Sequence, residues 1–271
     1  MNEQGLQALA SLLTTESEAT VAMMLEQMRT FTAAEIERLG ALAPIDSPAQ
    51  GQVDLILAER SGPRVQAALL EWLSTGADLE EGVLIVARSG YPRLEVDAVR
   101  RRLDALADRI RPQLHSDSGF SALGAMIGVI HGEDGFHGNV ARYYEPENSY
   151  LNCVVDRRAG LPISLTVLYI LLGKRLGLAI SGVPLPGHFI ASLATASSSI
   201  YFDPFHEGTV LSLRDVMNIV GHAGQVFHTD LLRAATPRLI VRRMLHNLLN
   251  GYRELDQPER AELVRAYLSV L

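Results

Sequence analysis

Residues 163–172 constrain this chain more than any other segment: they form a nearly all-apolar run between Gly160-Leu161-Pro162 and Gly173-Lys174-Arg175. Proline fits the first turn of a helix, where its missing N–H has no intrahelical partner to lose. A helix beyond it with almost no polar face must be buried, so the pattern predicts a buried helix over 163–176. The run falls well short of the roughly 18 residues that a bilayer span needs. Residues 179–184, 188–193 and 199–203 then read as short strands. A helix first and strands afterwards, without alternation, predicts a mainly helical α+β fold whose buried helix packs on a small antiparallel sheet.

With 271 residues the chain is expected to hold one large domain or two modest ones, at about 150 residues per domain. Its 24 basic against 31 acidic residues give a net charge of −7, which argues against an electrostatic grip on nucleic acid or an anionic membrane. Cys153 is the single cysteine, so there is no internal disulfide framework and a reducing compartment is expected. The opening Met1-Asn2-Glu3-Gln4 lacks the basic segment and apolar run of a secretory signal, and a soluble cytoplasmic protein is expected. No glycine-rich loop follows a strand and no basic-aromatic pattern occurs. No cofactor, nucleic-acid partner or membrane partner is therefore expected.

Residues 1–80 read as a helical N-terminal region. Leu6, Leu9, Leu12 and Leu13 have helical spacing, as do Met23, Met24, Leu25 and Met28. Thr32 and Glu35 form a capping-box pattern, residues 44–48 read as a loop, and Ser61-Gly62-Pro63 reads as a turn. Over 96–114 an apolar face of Val99, Leu103, Leu106, Ala107 and Ile110 lies opposite arginines interleaved with aspartates, which read as a solvated face. Residues 119–158 are dense in Gly, Asn and His and are expected to form a long ordered loop. Ser212-Leu213-Arg214-Asp215 opens a further helix with a capping-box pattern. Helices over 238–253 and 259–270, joined at Asp256-Gln257-Pro258, form a hairpin. Leu239, Met244, Leu248, Tyr252, Ala261, Ala266 and Tyr267 are its expected apolar contacts. The hairpin approximates one tetratricopeptide unit of about 34 residues, which cannot bury its own face and must dock on the core or on a partner.

Five stretches in order resemble the transglutaminase-like superfamily, specifically its bacterial SirB-type branch. They are Gly135-Phe136-His137-Gly138-Asn139, Asn148-Ser149-Tyr150-Leu151-Asn152, Gly160-Leu161-Pro162-Ile163-Ser164-Leu165, Pro186-Gly187-His188-Phe189 and Asp203-Pro204-Phe205. The resemblance implies a papain-like core over 81–236, a tetratricopeptide-like tail over 237–271, and His188, Asp203 and Asn148 as binding residues. Active members carry a Cys-His-Asp triad whose thiol sits at a helix start, where the helix dipole favours thiolate. His188 falls on the His position and Asp203 on the Asp position, but Pro162 falls on the cysteine position. A proline has no nucleophile.

Two side chains could replace the thiol. Ser164 lies two residues into the helix, roughly 200° around it, and reads first as a capping hydroxyl. Cys153 precedes the helix and could swing in on a loop, although a cysteine beside Val154-Val155 reads first as a small buried apolar residue. His131, Glu133, Asp134 and His137, with His206 and Glu207 to spare, could also be considered as metal ligands. Their spacing matches no zinc pattern, and no metal site is expected. The expected function is a non-catalytic protein- or peptide-binding, scaffold or regulatory module with an unknown partner; eukaryotic relatives of the branch look like F-box proteins. The alternative is a hydrolase or amidase acting through Ser164 or Cys153 with His188 and Asp203.

Overall fold

The computed structural model describes residues 3–12, 18–43, 48–114 and 118–271. The chain forms two compact units, residues 1–68 with 88–94 and residues 69–87 with 95–271. Residues 237–271 lie within the second unit.

The first unit holds α1 (Glu3–Leu12), α2 (Glu18–Arg29), α3 (Ala33–Leu42) and the first part of α4 (Pro48–Ser74). Leu6, Leu9, Met28, Ile36, Leu39, Val53 and Ile56 form its core. Met23, expected on the apolar face of α2, is 66% exposed. The Thr32 hydroxyl accepts from the Glu35 N–H at 3.3 Å and the Glu35 carboxylate accepts from the Thr32 N–H at 2.9 Å, which completes the anticipated capping box. The turn expected at Ser61-Gly62-Pro63 is instead helical and lies inside α4. Pro63 costs the helix one N–H donor, while buried Val53, Ile56 and Val65 hold the segment in place, and the Ser61 hydroxyl donates to the Ala58 carbonyl. Leu13 and the loop read at 44–47 lie outside the described residues.

α5 (Leu79–Gly90) precedes α6 (Val96–Ile110), which buries Val99, Leu103, Leu106, Ala107 and Ile110, the face that its periodicity predicts. Three of its arginines are ion-paired: Arg100 with Asp97 and Glu81, Arg102 with Asp156, and Arg109 with Glu133 and Asp134. Residues 119–158, expected to form a long loop, are largely helical. They contain α7 (Gly119–Ile127), a π-helical turn (Gly128–Glu133), β1 (His137–Gly138), a 3-10 turn (Pro146–Asn148) and α8 (Leu151–Arg157). Ala122, Leu123, Met126, Val129 and Ile130 are buried, and this apolar spacing outweighs the glycines.

Next come β2 (Ala159–Gly160), which pairs in parallel with β1, and α9 (Pro162–Leu176). Leu165, Val167, Leu168, Leu171 and Leu172 of α9 are fully or almost fully buried. At about 1.5–3 kcal/mol per large apolar side chain, this helix anchors the unit. The four-stranded antiparallel sheet runs in the order β3 (Ile180–Leu185), β4 (His188–Ala194), β5 (Ser199–Asp203), β6 (Thr209–Leu211). The last strand was not legible in the sequence. α10 (Leu213–His222) starts at Ser212, whose hydroxyl accepts from the Asp215 N–H as its pattern predicts. α11 (Pro237–Glu254) and α12 (Pro258–Leu268) form the hairpin, tied inward by a 2.7 Å hydrogen bond between the Tyr150 and Tyr252 hydroxyls. Leu239 is 37% exposed, and Ile240 and Val241 are buried in its place. Among the described residues, no helix is long and apolar enough to cross a membrane.

Strand register separates the two faces of the sheet. Val183 pairs with Ile190 and Leu185 with His188, and Val183, Leu185 and Ile190 pack with Val216 and Val220 of α10. The alternate residues face α9: a Cβ on Gly182 would meet the Phe189 ring and Thr166, and the Tyr169 ring meets Phe202 edge-on at 5.1 Å. His188 therefore lies on the α10 face.

Candidate functional site

The register also accounts for the central contact of the site. Ala191 pairs with Phe202, so one step further along the ladder Asp203 stands across from Ile190, diagonal to His188 on the same face. The His188 Nε2 to Asp203 Oδ2 distance is 2.7 Å. With Nε2 engaged by the carboxylate, Nδ1 is the ring edge left to meet a reactant or ligand. The tight Pro186-Gly187 turn delivers His188 to the start of β4, and Gly187 occupies a left-handed conformation with φ +70°.

Asp203 is 2% exposed and bonded on all sides. Its Oδ1 accepts from the Phe205 N–H at 3.0 Å, and its Oδ2 meets His206 Nδ1 at 2.7 Å as well as His188. Burial pushes this carboxyl up, but the hydrogen bonds and charges of His188 and His206 outweigh burial and hold it below the usual carboxylate range. His188, Asp203 and His206 line a cavity of about 680 Å³ whose other walls include Val210, Leu211, Ile219 and His222. Phe205 packs edge-on to His188, with ring centroids 6.3 Å apart, and its ring also lies where a Cβ on Gly138 would stand.

The other sequence candidates sit elsewhere. Pro162 is buried at the first position of α9, which packs on the opposite sheet face from His188. Ser164 is 1% exposed; its hydroxyl accepts from the Leu161 N–H at 2.9 Å and donates to the Asn148 carbonyl at 2.6 Å. Asn148, expected as a binding residue, does not line the cavity. Its amide donates to the Arg142 and Tyr143 carbonyls and its Oδ1 accepts from Asn139. Ser164 and Asn148 thus join the 139–148 segment to the start of α9. Cys153 lies on α8 rather than on a loop; it is buried, and the Asn152 amide points at its sulfur at 3.4 Å.

The residues weighed as a metal cluster do not converge. Glu133 and Asp134 pair with Arg109, while His131 Nδ1 donates to the Phe136 carbonyl and His137 Nδ1 to the Gly135 carbonyl. The His131 donation leaves Nε2 bare, and it is buried without a partner beside the stacked Tyr169 ring. Burial pushes His131 below the ordinary imidazole value. Sequence reasoning missed that His206 belongs with His188 and Asp203. The signal was the Asp203-Pro204-Phe205-His206 turn, which returns the third residue after the aspartate to its carboxylate.

Comparison with known proteins agrees with this architecture. The Transglutaminase-like superfamily matches residues 97–246. The UPF0162 protein of Xylella fastidiosa is 32% identical over 185 residues, which is 66% of this chain and 66% of the relative, just under two thirds of its length. The UPF0162 protein of Vibrio cholerae is 29% identical over 150 residues, 54% of this chain and 55% of that protein. F-box only protein 21 of Homo sapiens is 31% identical over 145 residues, 50% of this chain but 23% of that protein. No solved structure gives a significant match. With more than half of its length matched, and with a buried helix packed on a small antiparallel sheet, the chain belongs to the Transglutaminase-like superfamily.

Proposed function

We propose that this chain is a non-catalytic transglutaminase-like protein that binds a protein or peptide as a scaffold or regulatory module. Pro162 carries the reading: it is the first residue of α9, the position that the resemblance gives to the thiol of active members, and a proline ring has no atom that can attack a carbonyl. The hydroxyl two residues on is spent on the backbone of Leu161 and Asn148. What remains beside His188 is a cavity of about 680 Å³ with apolar walls at Val210, Leu211 and Ile219 and a polar end at the His–Asp pair. That combination suits an apolar side chain presented by an extended peptide, oriented by a hydrogen bond to the imidazole. The assignment to the SirB-type branch and the likeness of the α11–α12 hairpin to a tetratricopeptide unit are part of the same proposal. They suit a protein that works through docking surfaces, as does the partial match to a relative named as an F-box only protein.

The hydrolase reading draws on one observation, the intact 2.7 Å contact between His188 Nε2 and Asp203. It needs a nucleophile from Ser164 or Cys153, both of them buried.

A peptide-display selection against the purified chain tests binding. Enriched peptides are expected to share an apolar anchor and to lose affinity for Val210→Asp, a substitution at a 47% exposed wall residue that spares the core. Enrichment of no sequence, or equal binding by Val210→Asp, would count against the cavity as the binding site.

A further inference from the structure

We propose that His188, Asp203 and His206 form a three-ligand site for a divalent first-row transition cation of the zinc class, with its fourth position open to the cavity. One ligand atom from each of the three lies within 4.8 Å of the others. Both imidazole nitrogens already approach the same carboxylate oxygen, Asp203 Oδ2, at 2.7 Å. Two imidazoles and one carboxylate form the mixed nitrogen and oxygen set that zinc, cobalt and iron accept, and three protein ligands leave a coordination position for water or a partner's donor.

The three come from separate parts of one rigid corner: the first residue of β4, the last residue of β5 and the 3-10 turn that follows it. The Phe205 N–H holds Asp203 Oδ1, which fixes the carboxylate and presents Oδ2, as an outer hydrogen bond to a metal-bound carboxylate commonly does. Metal bonds of about 2.0–2.2 Å set ligand atoms about 3.0–3.5 Å apart, so each imidazole must recede from Oδ2 by less than about 1 Å. His206 has that freedom, since its side chain is 64% exposed. Each ring must also present a lone pair to the ion, so in the metal-bound state the nitrogen that faces Asp203 carries no proton and any ring proton sits on the other nitrogen. The cavity of about 680 Å³ leaves ample space for the fourth ligand.

The inference goes beyond peptide binding and does not depend on it. The test is titration of the EDTA-treated full chain with Co²⁺ as a visible-absorption probe, followed by displacement with Zn²⁺ and calorimetry. The expected result is one saturable site with d–d bands that Zn²⁺ removes. His206→Ala, at an exposed side chain and with its fold checked by circular dichroism, should weaken binding by more than the roughly 10–100-fold that loss of an outer-shell partner costs. His228→Ala, at another exposed histidine, should bind as the parent does. Absence of a saturable single site in the parent, or equal Co²⁺ affinity in His206→Ala, would overturn the proposal.

Discussion

The first turn of α9 and the β4–β5 end of the sheet, on opposite faces of that sheet, are built in opposite ways. At the helix start two polar side chains are satisfied internally: the Ser164 hydroxyl bonds Leu161 and Asn148, and the Asn148 side chain bonds Asn139, Arg142 and Tyr143. At the sheet end the polar groups line a cavity, with the His206 side chain 64% exposed and that of His188 15%. Polar atoms that satisfy one another hold a fold together, whereas polar atoms that converge on open space are free for a ligand. The contrast supports the proposal that the helix start serves stability and the sheet end serves binding.

The largest effect should come from Asn148→Ala, which removes a buried side chain with hydrogen bonds to three other residues. Urea unfolding should register a loss of about 3–5 kcal/mol. A loss below about 1 kcal/mol would break the comparison from its stability side. Gly160→Ala comes next: its Cβ would stand 2.7 Å from the Ser164 hydroxyl and push it off its partners, at about 2–3 kcal/mol. Gly187→Ala should be milder. Its Cβ has room, with Ala223 the nearest atom at 3.6 Å, so only the left-handed φ of +70° is penalised, by about 1 kcal/mol. A Gly187→Ala cost equal to that of Gly160→Ala would mean that the turn before His188 is as tightly packed as the helix start.

The smallest effect is a pH dependence. Burial lowers the folded-state pKa of His131 below 6.5, so its neutral ring contributes stability that is intact above the unfolded value. As pH falls through about 6.5 the unfolded chain takes up a proton before the folded chain does, and stability declines toward the lower folded pKa. Urea midpoints measured from about pH 8 down to pH 5 should fall more for the parent than for His131→Gln. Parallel curves would show that the ring is not held neutral.

Much of this architecture was legible because burial leaves a strong period in sequence. The α6 face, the all-apolar α9 and the alternating strands through Asp203 follow from spacing alone, and the Ser212 and Thr32 caps follow from local hydrogen-bonding chemistry. The departures are of two kinds. Ser61-Gly62-Pro63 suggests a turn and the Gly, Asn and His density of 119–158 suggests a loop, but tertiary packing of Val65, Met126, Val129 and Ile130 keeps 61–63 and 119–133 helical. The joining of His206 to His188 was invisible because it depends on a turn placing a side chain beside another strand, and no one-dimensional period records that. His188 and Asp203 were found through resemblance, and strand register then explained why they touch.

Covalent labelling tests most directly whether any nucleophile serves His188. The parent and His188→Ala are treated with a fluorophosphonate and with iodoacetamide under native conditions, and modified residues are mapped by mass spectrometry. On the proposed reading of Pro162, Ser164 should stay unmodified, its hydroxyl being held by the Asn148 carbonyl, and any slow alkylation of Cys153 should be the same in both proteins. Rapid modification of Ser164 or Cys153 that disappears in His188→Ala would contradict a non-catalytic protein.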